Sequence, residues 1–465
     1  MTSQPSRIGE QPAPSRGEPR ELTLAVGAPA HGGHCVARPV DDPGGRVIFV
    51  RHALPGETVR ARLTEMTSRT WRADAVEILQ ASPDRVESVW PEAGPAGVGG
   101  GELAHVALDA QRTWKRWVLA DCLRRIGGQE VADAVAALPE ASGAAAVPVE
   151  PMPTDAAAQA SSSARRRALA GTATRTRISL TVSEDGRPGM HAFRSGTVLP
   201  LRRLPLAVGA ITEIGLLERS RWRAHYRPGM RIEAIAPSGG EPVVLLDERL
   251  LTSQARSTGR RRVREVVDAS ALGLGELTYS VHAEGFWQVH VDAPRMLVER
   301  VVQGALGEDL EGAAGSRVLE LYSGAGLFTL PLAALVGDSG QVLSLEGNEQ
   351  AVRDARRTLH DHPAARLASG RVSARSVREL AGSFKGGRPD VVVLDPPRQG
   401  AGREVVEAVG ALGAERIVLV ACDPAALARD LGTLLRAGYA LGSMSALDMF
   451  PHTHHFETIA VLERP

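Results

Sequence analysis

The segments Val420-Ala-Cys-Asp-Pro424 and Asp448-Met-Phe-Pro-His-Thr-His-His-Phe-Glu457 hold the side chains best suited to covalent chemistry. Cys422 follows an apolar run and precedes a proline-containing turn, which places it at a strand end beside a pocket. A single cysteine is more often a small buried hydrophobe than a nucleophile. The second segment shifts that balance. Glu457, 35 residues further on, offers a carboxylate next to a proline-fixed turn and several hydrogen-bonding side chains. A thiolate can add to an electron-poor carbon, and a carboxylate can then remove a proton so that elimination frees the sulfur. His452, His454 and His455 raise the question of a metal, but no Cys or further His stands at ligand spacing, so none is expected.

Two other segments read as ligand-holding turns. In Glu320-Leu-Tyr-Ser-Gly-Ala-Gly-Leu-Phe328 a strand ends in a glycine turn that opens a helix, and glycine lets a ligand approach the backbone closely. The spacing is not the GxGxxG of dinucleotide sites. Glu346 closes the next strand 20 residues after Gly326, where an acid can accept hydrogen bonds from a ribose diol. A nucleoside-type cofactor fits this pair, although a packing turn and a surface Glu account for it equally well. Leu394-Asp-Pro-Pro-Arg-Gln-Gly400 ends a third strand, and its two prolines stiffen the loop that holds Asp395.

The elements that must position these residues alternate from about Arg317. Strand-like RVLELY, QVLSLE, PDVVVLDPP and RIVLVACDP are separated by helical stretches such as 348–360 and 403–412. Buried strands alternating with helices imply an α/β fold with a parallel, doubly wound sheet, whose ligands bind at the carboxyl ends of the strands. Residues 21–80 have short apolar strands (22–26, 46–50, 58–63 and 73–79) between Gly/Pro turns, the pattern of a small barrel. A helix is expected over 106–125, a low-complexity linker or insertion over 132–164, and β structure over 175–237. The expected organisation is a disordered tail (1–20), the barrel (21–80), a central domain (90–240) with its insertion near 132–164, and an α/β domain (245–465).

No apolar run approaches the ~20 residues of a membrane span, and the first twenty residues lack the apolar stretch of a secretory signal. Cys35, Cys122 and Cys422 are too few for a disulfide framework, so a reducing, cytoplasmic home is expected. Net charge is zero, yet residues 161–264 carry 20 arginines against 8 acidic residues, a local excess of +12 that the rest of the chain offsets. Such a one-sided basic segment is the footprint of a polyanion binder. Arginine-rich usage across the whole chain, which has only the lysines Lys115 and Lys385, offers a plainer explanation.

Taken in order, FWQVH (Phe286–His290), ELYSGAGLF, the acid of LSLEGN, LDPPRQG, ACDP and DMFPHTHHFE resemble the bacterial RNA 5-methyluridine methyltransferases of the TrmA/RumA type, over residues 280–465. The resemblance implies a class I S-adenosylmethionine-dependent methyltransferase domain. It implies Gln288, Tyr322, Glu346 and Asp395 as contacts of S-adenosylmethionine, Cys422 as nucleophile and Glu457 as proton acceptor. It also makes residues 21–80 similar to the TRAM module, an OB-like RNA-binding barrel. The implied reaction is methylation of a uracil C5 in RNA through a Cys–C6 adduct. Ribosomal RNA is slightly favoured over transfer RNA because TRAM-bearing members often act there, and a monomer is the default. Asp395 and Arg398 stand where methylases of exocyclic amines tend to have Asn-Pro-Pro-aromatic.

The chain departs from the family pattern in places. His290 stands where Asn is frequent, and Ala421 where Ser is. Trp90, Val98, Gly101 and Leu204 replace the four cysteines that hold an iron–sulfur cluster in several members, so no cluster is expected. Two rivals follow. An RNA cytosine-C5 methyltransferase also needs a Cys attacking C6, but gives no reason for a Glu in the DMFPHTxHxE pattern. A catalytically inactive RNA-binding scaffold is conceivable because fold does not dictate function.

Overall fold

The structure is a computed structural model and describes residues 20–465; the tail expected over 1–20 lies, but for Arg20, outside them. Strands β1 (Glu21–Ala30), β2 (His34–Pro39), β3 (Ile48–Arg51), β4 (Thr58–Met66) and β5 (Trp71–Gln80) close into a barrel in the order β1-β2-β3-β5-β4. Alternation along the strands sends Leu24, Ile48, Val50, Val59, Ala61 and Ala73 inward. Arg51 reaches Asp74 through two buried bonds of 2.8 and 2.7 Å, a bidentate pair between the parallel neighbours β3 and β5. The barrel strands form one compact unit ending at Pro83, and the chain from Asp84 onward forms the other.

In the second unit, α1 (Leu108–Cys122) matches the expected helix. The stretch 132–164, expected as a linker or insertion, is built of regular elements. It holds most of α2 (Gln129–Ala136), then β6 (Val149–Pro151), α3 (Pro153–Gln159) and the start of α4 (Ala164–Ala168). Its alanines look like low complexity in sequence, but Ala132, Ala141 and Ala146 are buried beside Val147, Val149 and Met152. Alanine favours helix and lets backbones pack closely, so a bland composition still builds a core.

A six-stranded antiparallel sheet follows, in the order β12-β11-β10-β7-β8-β9. Its strands are β7 (Arg177–Val182), β8 (Pro188–His191), β9 (Val198–Pro200), β10 (Arg231–Ile235), β11 (Val243–Leu246) and β12 (Arg249–Thr252), with short helices α5 (Gly209–Thr212) and α6 (Ser220–Arg223) between β9 and β10. Trp90 and Val98 are buried in the apolar core under this sheet, with Leu204 packed at its margin. A Cβ on Gly101 would stand 2.9 Å from Cε3 of Trp90, so the missing side chain is the space the indole uses. An indole that only donates, two aliphatic side chains and a glycine supply no thiolate to iron, and these positions do not fit a cluster.

The hairpin β13 (Arg262–Asp268) and β14 (Glu276–His282) leads through α7 (Ala293–Leu306) into an eight-stranded sheet. Its remaining elements alternate: β15 (Arg317–Leu321), α8 (Thr329–Val336), β16 (Gln341–Glu346), α9 (Glu349–Thr358), β17 (Ala365–Ser369), α10 (Ala374–Ala381), β18 (Val391–Leu394), α11 (Arg403–Ala411), β19 (Arg416–Ala421), α12 (Pro424–Arg436), β20 (Ala440–Asp448) and β21 (Glu457–Glu463). The order is β17-β16-β15-β18-β19-β21-β20-β6, parallel from β17 to β19, with β21 antiparallel between β19 and β20. Strand direction of connection reverses between β15 and β18, the crevice where doubly wound sheets hold ligands.

Residues 90–240 and 245–465 lie in one compact unit. Two features join them. Residue 149–151 strand β6 pairs with β20, and one apolar core runs from Ile235, Leu245 and Leu250 through Tyr279 to Val301 and Val418. Among the described residues no helix is long and apolar enough to cross a membrane.

Candidate active site

Strand β19 is buried along nearly its whole length and delivers Cys422 to its carboxyl end. Asp423 then caps α12 by accepting the Ala426 amide at 2.8 Å, with Pro424 at the first helical position. The antiparallel ladder aligns Ala421 with Thr458, whose hydroxyl donates to the Ala421 carbonyl at 2.8 Å. One step further along that register sets Cys422 opposite Glu457. Glu457 is 5% exposed and its Oε1 has no protein partner.

Burial pushes the Cys422 thiol up to about 12, and the charges of Glu457 and Asp395 add to the effect while Arg398 opposes it. Burial, then Asp395, holds Glu457 well above the usual carboxylate range, again opposed by Arg398. Cys422, Glu457, Asp395 and Arg398 therefore lie within electrostatic reach of one another, with the arginine as the cation. Its Nη2 lies 3.5 Å from Nε2 of His455.

The other half of the site lies at the ends of β15, β16 and β18. Tyr322 takes a left-handed φ of 64° with its amide on the Leu345 carbonyl at 2.8 Å, which turns the chain out of β15. Gly324 follows at φ 54°, and its amide donates to Oε2 of Glu346 at 2.9 Å. Oε1 of Glu346 accepts the Asn348 amide at 2.6 Å. Each clamped oxygen keeps a lone pair for a hydroxyl, the geometry a ribose diol needs. Burial and the nearby Glu346 charge raise Asp395 to about 7, so these two carboxyls also share the crevice. Gln288 is buried in the loop between β14 and α7. Trp287 packs against Tyr279 with ring centroids 5.1 Å apart, and the Tyr279 hydroxyl donates to the Leu327 carbonyl at 2.9 Å, which ties this loop to the glycine turn.

His290, one of the departures from the family pattern, points its Nε2 at Asp155 of α3, 3.1 Å away. The segment that looked like a linker thus braces the Gln288 loop. His452 bonds to the Ala170 carbonyl and to Gln111, and His454 lies 3.8 Å from Glu102. Among the described residues no three His, Cys, Asp or Glu side chains converge as a metal site.

Glu320 escaped the sequence reading. Its Oε2 accepts from Thr329 Oγ1 at 2.5 Å and from Ser344 Oγ at 2.8 Å, while Oε1 has no partner. Ser323 Oγ beside it is also buried without a partner. The clue was a charged residue inside the otherwise apolar strand VLEL. Unpaired polar atoms next to the clamped Glu346 suit a polar, nucleoside-bearing ligand, so the residues present fit S-adenosylmethionine.

Burial raises Glu320 to about 7 from an ordinary 4.5. The folded form therefore binds this proton more tightly than the unfolded chain. Stability from this group is full below pH 4.5 and is lost as pH rises through 7, by up to about 3 kcal/mol. Thermal melts of Glu320→Gln between pH 5 and 8 should show a flatter pH dependence than the parent; unchanged slopes would count against the assignment.

A mainly parallel sheet with this strand order and one antiparallel strand, a glycine turn after β15 and an acid ending β16 define a class I S-adenosylmethionine-dependent methyltransferase. The family model described as tRNA (Uracil-5-)-methyltransferase matches residues 275–465, and that of the TRAM domain matches residues 18–76. A Streptomyces avermitilis protein named as an uncharacterized RNA methyltransferase is 39% identical over 468 residues, covering 95% of this chain and 98% of that one. The 23S rRNA (uracil(1939)-C(5))-methyltransferase RlmD of Acinetobacter baumannii is 30% identical over 456 residues, covering 94% and 92%. The chain belongs to the family of S-adenosylmethionine-dependent RNA (uracil-5-)-methyltransferases. In fold it is similar to the Pyrococcus abyssi tRNA (uracil-54, C5)-methyltransferase solved with S-adenosyl-L-homocysteine, at a TM-score of 0.62 and 21% identity over 94% of this chain and 99% of that one.

Proposed function

We propose that this enzyme forms 5-methyluridine in large-subunit ribosomal RNA, with Cys422 as nucleophile and Glu457 as the base. The observation that supports this reading is the β19–β21 register, whose last pair, Ala421 with Thr458, stands one residue from each of the two groups. Carbon 5 of uracil is a weak nucleophile by itself. Addition of the Cys422 thiolate to C6 makes an enolate that concentrates electron density on C5. When bound, S-adenosylmethionine supplies an electrophilic methyl group to that carbon. Glu457 then removes the C5 proton, the C5=C6 double bond re-forms, and the C6–S bond breaks to release the thiolate.

Each neighbour has a part in this scheme. Arg398 favours the ionised forms of both Cys422 and Glu457. Glu346 accepts the ribose hydroxyls of the methyl donor, Tyr322 flanks it on the glycine turn, and Asp395 and Gln288 complete its contacts. The TRAM barrel (21–80) and the arginine-rich segment (161–264) hold RNA, with Arg165, Arg166 and Arg167 exposed on α4. A single-stranded target lowers the cost of extruding the base. The ribosomal preference is supported by the 30% identity to RlmD; the proposed enzyme acts as a single chain in the cytoplasm.

Nucleoside mapping of ribosomal and transfer RNA from a strain lacking the gene tests this reading. One 5-methyluridine should vanish from large-subunit RNA and return with the parent gene but not with Cys422→Ser. Loss confined to transfer RNA would move the substrate. A vanished 5-methylcytidine would replace the reaction, and no change at all would favour a scaffold.

A further inference from the structure

All but two of the 54 Lys and Arg residues are arginines, and one of the two lysines, Lys115, is fully buried. It lies on α1, where its ammonium pairs with Asp448 and donates to the Phe450 carbonyl at 3.1 Å. Gln111, one turn earlier and equally buried, accepts the His452 amide at 2.7 Å and contacts His452 Nδ1 at 3.1 Å. His452 holds a left-handed φ of 66°, a strained state for a residue with a side chain, and its carbonyl accepts the Leu103 amide at 2.9 Å. Asp448 ends β20, Phe450 and His452 lie in the connection that follows, and Glu457 opens β21 at its far end.

The chain of contacts continues toward that end. The Phe450 carbonyl also accepts from Thr453 Oγ1 at 2.8 Å, and Thr453 Oγ1 in turn accepts the His455 amide at 3.2 Å. Lys115 thus reaches, through one carbonyl and one hydroxyl, to a residue two positions before Glu457.

Burying an ammonium and a carboxylate is a poor way to gain stability, since apolar residues of similar size often do as well or better. What the pair does supply is a fixed position for the loop. We infer that Lys115, with Gln111, is a positioning residue for Glu457, holding the β20–β21 connection so that the carboxylate stands at the C5 proton. A guanidinium would not substitute, because the site accommodates a compact head between one carboxylate and one carbonyl.

The inference rests on Glu457 being the base, and the experiment separates the two. RNA from a gene-deleted strain fed uracil tritiated at C5 is mixed with enzyme and methyl-labelled S-adenosylmethionine. Tritium release, methyl incorporation and a denaturation-resistant protein–RNA complex are followed together. In the parent, release keeps pace with methylation. In K115M/D448L, which leaves no orphan charge, release per methyl should fall about a hundredfold, the scale of a misplaced reacting group, while methylated covalent complex accumulates. A folded K115M/D448L with parent-like release, or with release and methylation falling in parallel and no complex, would overturn the inference. Glu457→Gln is the reference: if it gives no complex, the base assignment fails; if it does and K115M/D448L does not, the positioning role alone fails. Should the double variant not fold, Thr453→Val removes the relay hydroxyl at little steric change and must shift the ratio the same way, more weakly, for the inference to stand.

Discussion

Cys422→Ser should lose methyl transfer to RNA by roughly 10⁴-fold or more, since removing a covalent nucleophile returns the reaction close to its uncatalysed course. Serine keeps the shape of the strand-to-helix junction, and Asp423, which caps α12, is untouched. Affinity for S-adenosylmethionine should stay within about twofold, because the expected cofactor contacts at Tyr322 and Glu346 stand at the carboxyl ends of β15 and β16, not on β19. Calorimetric titration with the cofactor beside a labelled-methyl assay checks both halves. Transfer at the parent rate in Cys422→Ser would remove the nucleophile assignment. Loss of cofactor binding together with transfer would mean the substitution had damaged the fold.

Glu457→Gln should behave differently. Attack and methylation precede proton removal, so the variant should complete about one methylation per enzyme and then stall as a covalent protein–RNA complex. Steady turnover should drop 10²–10⁴-fold, the usual contribution of a general base. The pH dependence has a definite sign. Glu457 is held well above the ordinary carboxylate range and acts as the carboxylate, so parent turnover must fall as pH is lowered through its raised pKa. The Cys422 thiol, pushed up to about 12, works in the same direction from the alkaline side. Proton removal measured by itself, as tritium release from C5, should lose the carboxylate limb in Glu457→Gln. The formation of the covalent complex should keep the thiol limb. A parent profile that rises toward acid would contradict both roles.

Much of the α/β sheet was legible because its strands are apolar on both faces and end in turns of unusual composition. The glycine turn, the acid ending β16 and the prolines after β18 each announce a strand end. Proximity across the sheet was harder to read. Cys422 and Glu457 are 35 residues apart, and only the return of β21 antiparallel to β19 makes them neighbours. Composition misled at 132–164, where buried alanines and β6 look like filler, and where Asp155 turns out to brace His290. Glu320 and Lys115 were passed over for a common reason. A buried ionisable group looks like any surface charge until its partners are seen, and those partners come from segments up to 335 residues away.

The account stands most directly on sulfur attacking the ring whose C5 is methylated. RNA carrying 5-fluorouridine blocks the last step, because fluorine at C5 cannot leave as a proton does. Digestion and mass spectrometry of enzyme treated with such RNA and S-adenosylmethionine should find one modified peptide, containing Cys422 joined to a nucleotide that bears both fluorine and the new methyl group. A methylated nucleotide with no protein attached, or one joined to a different residue, would contradict it.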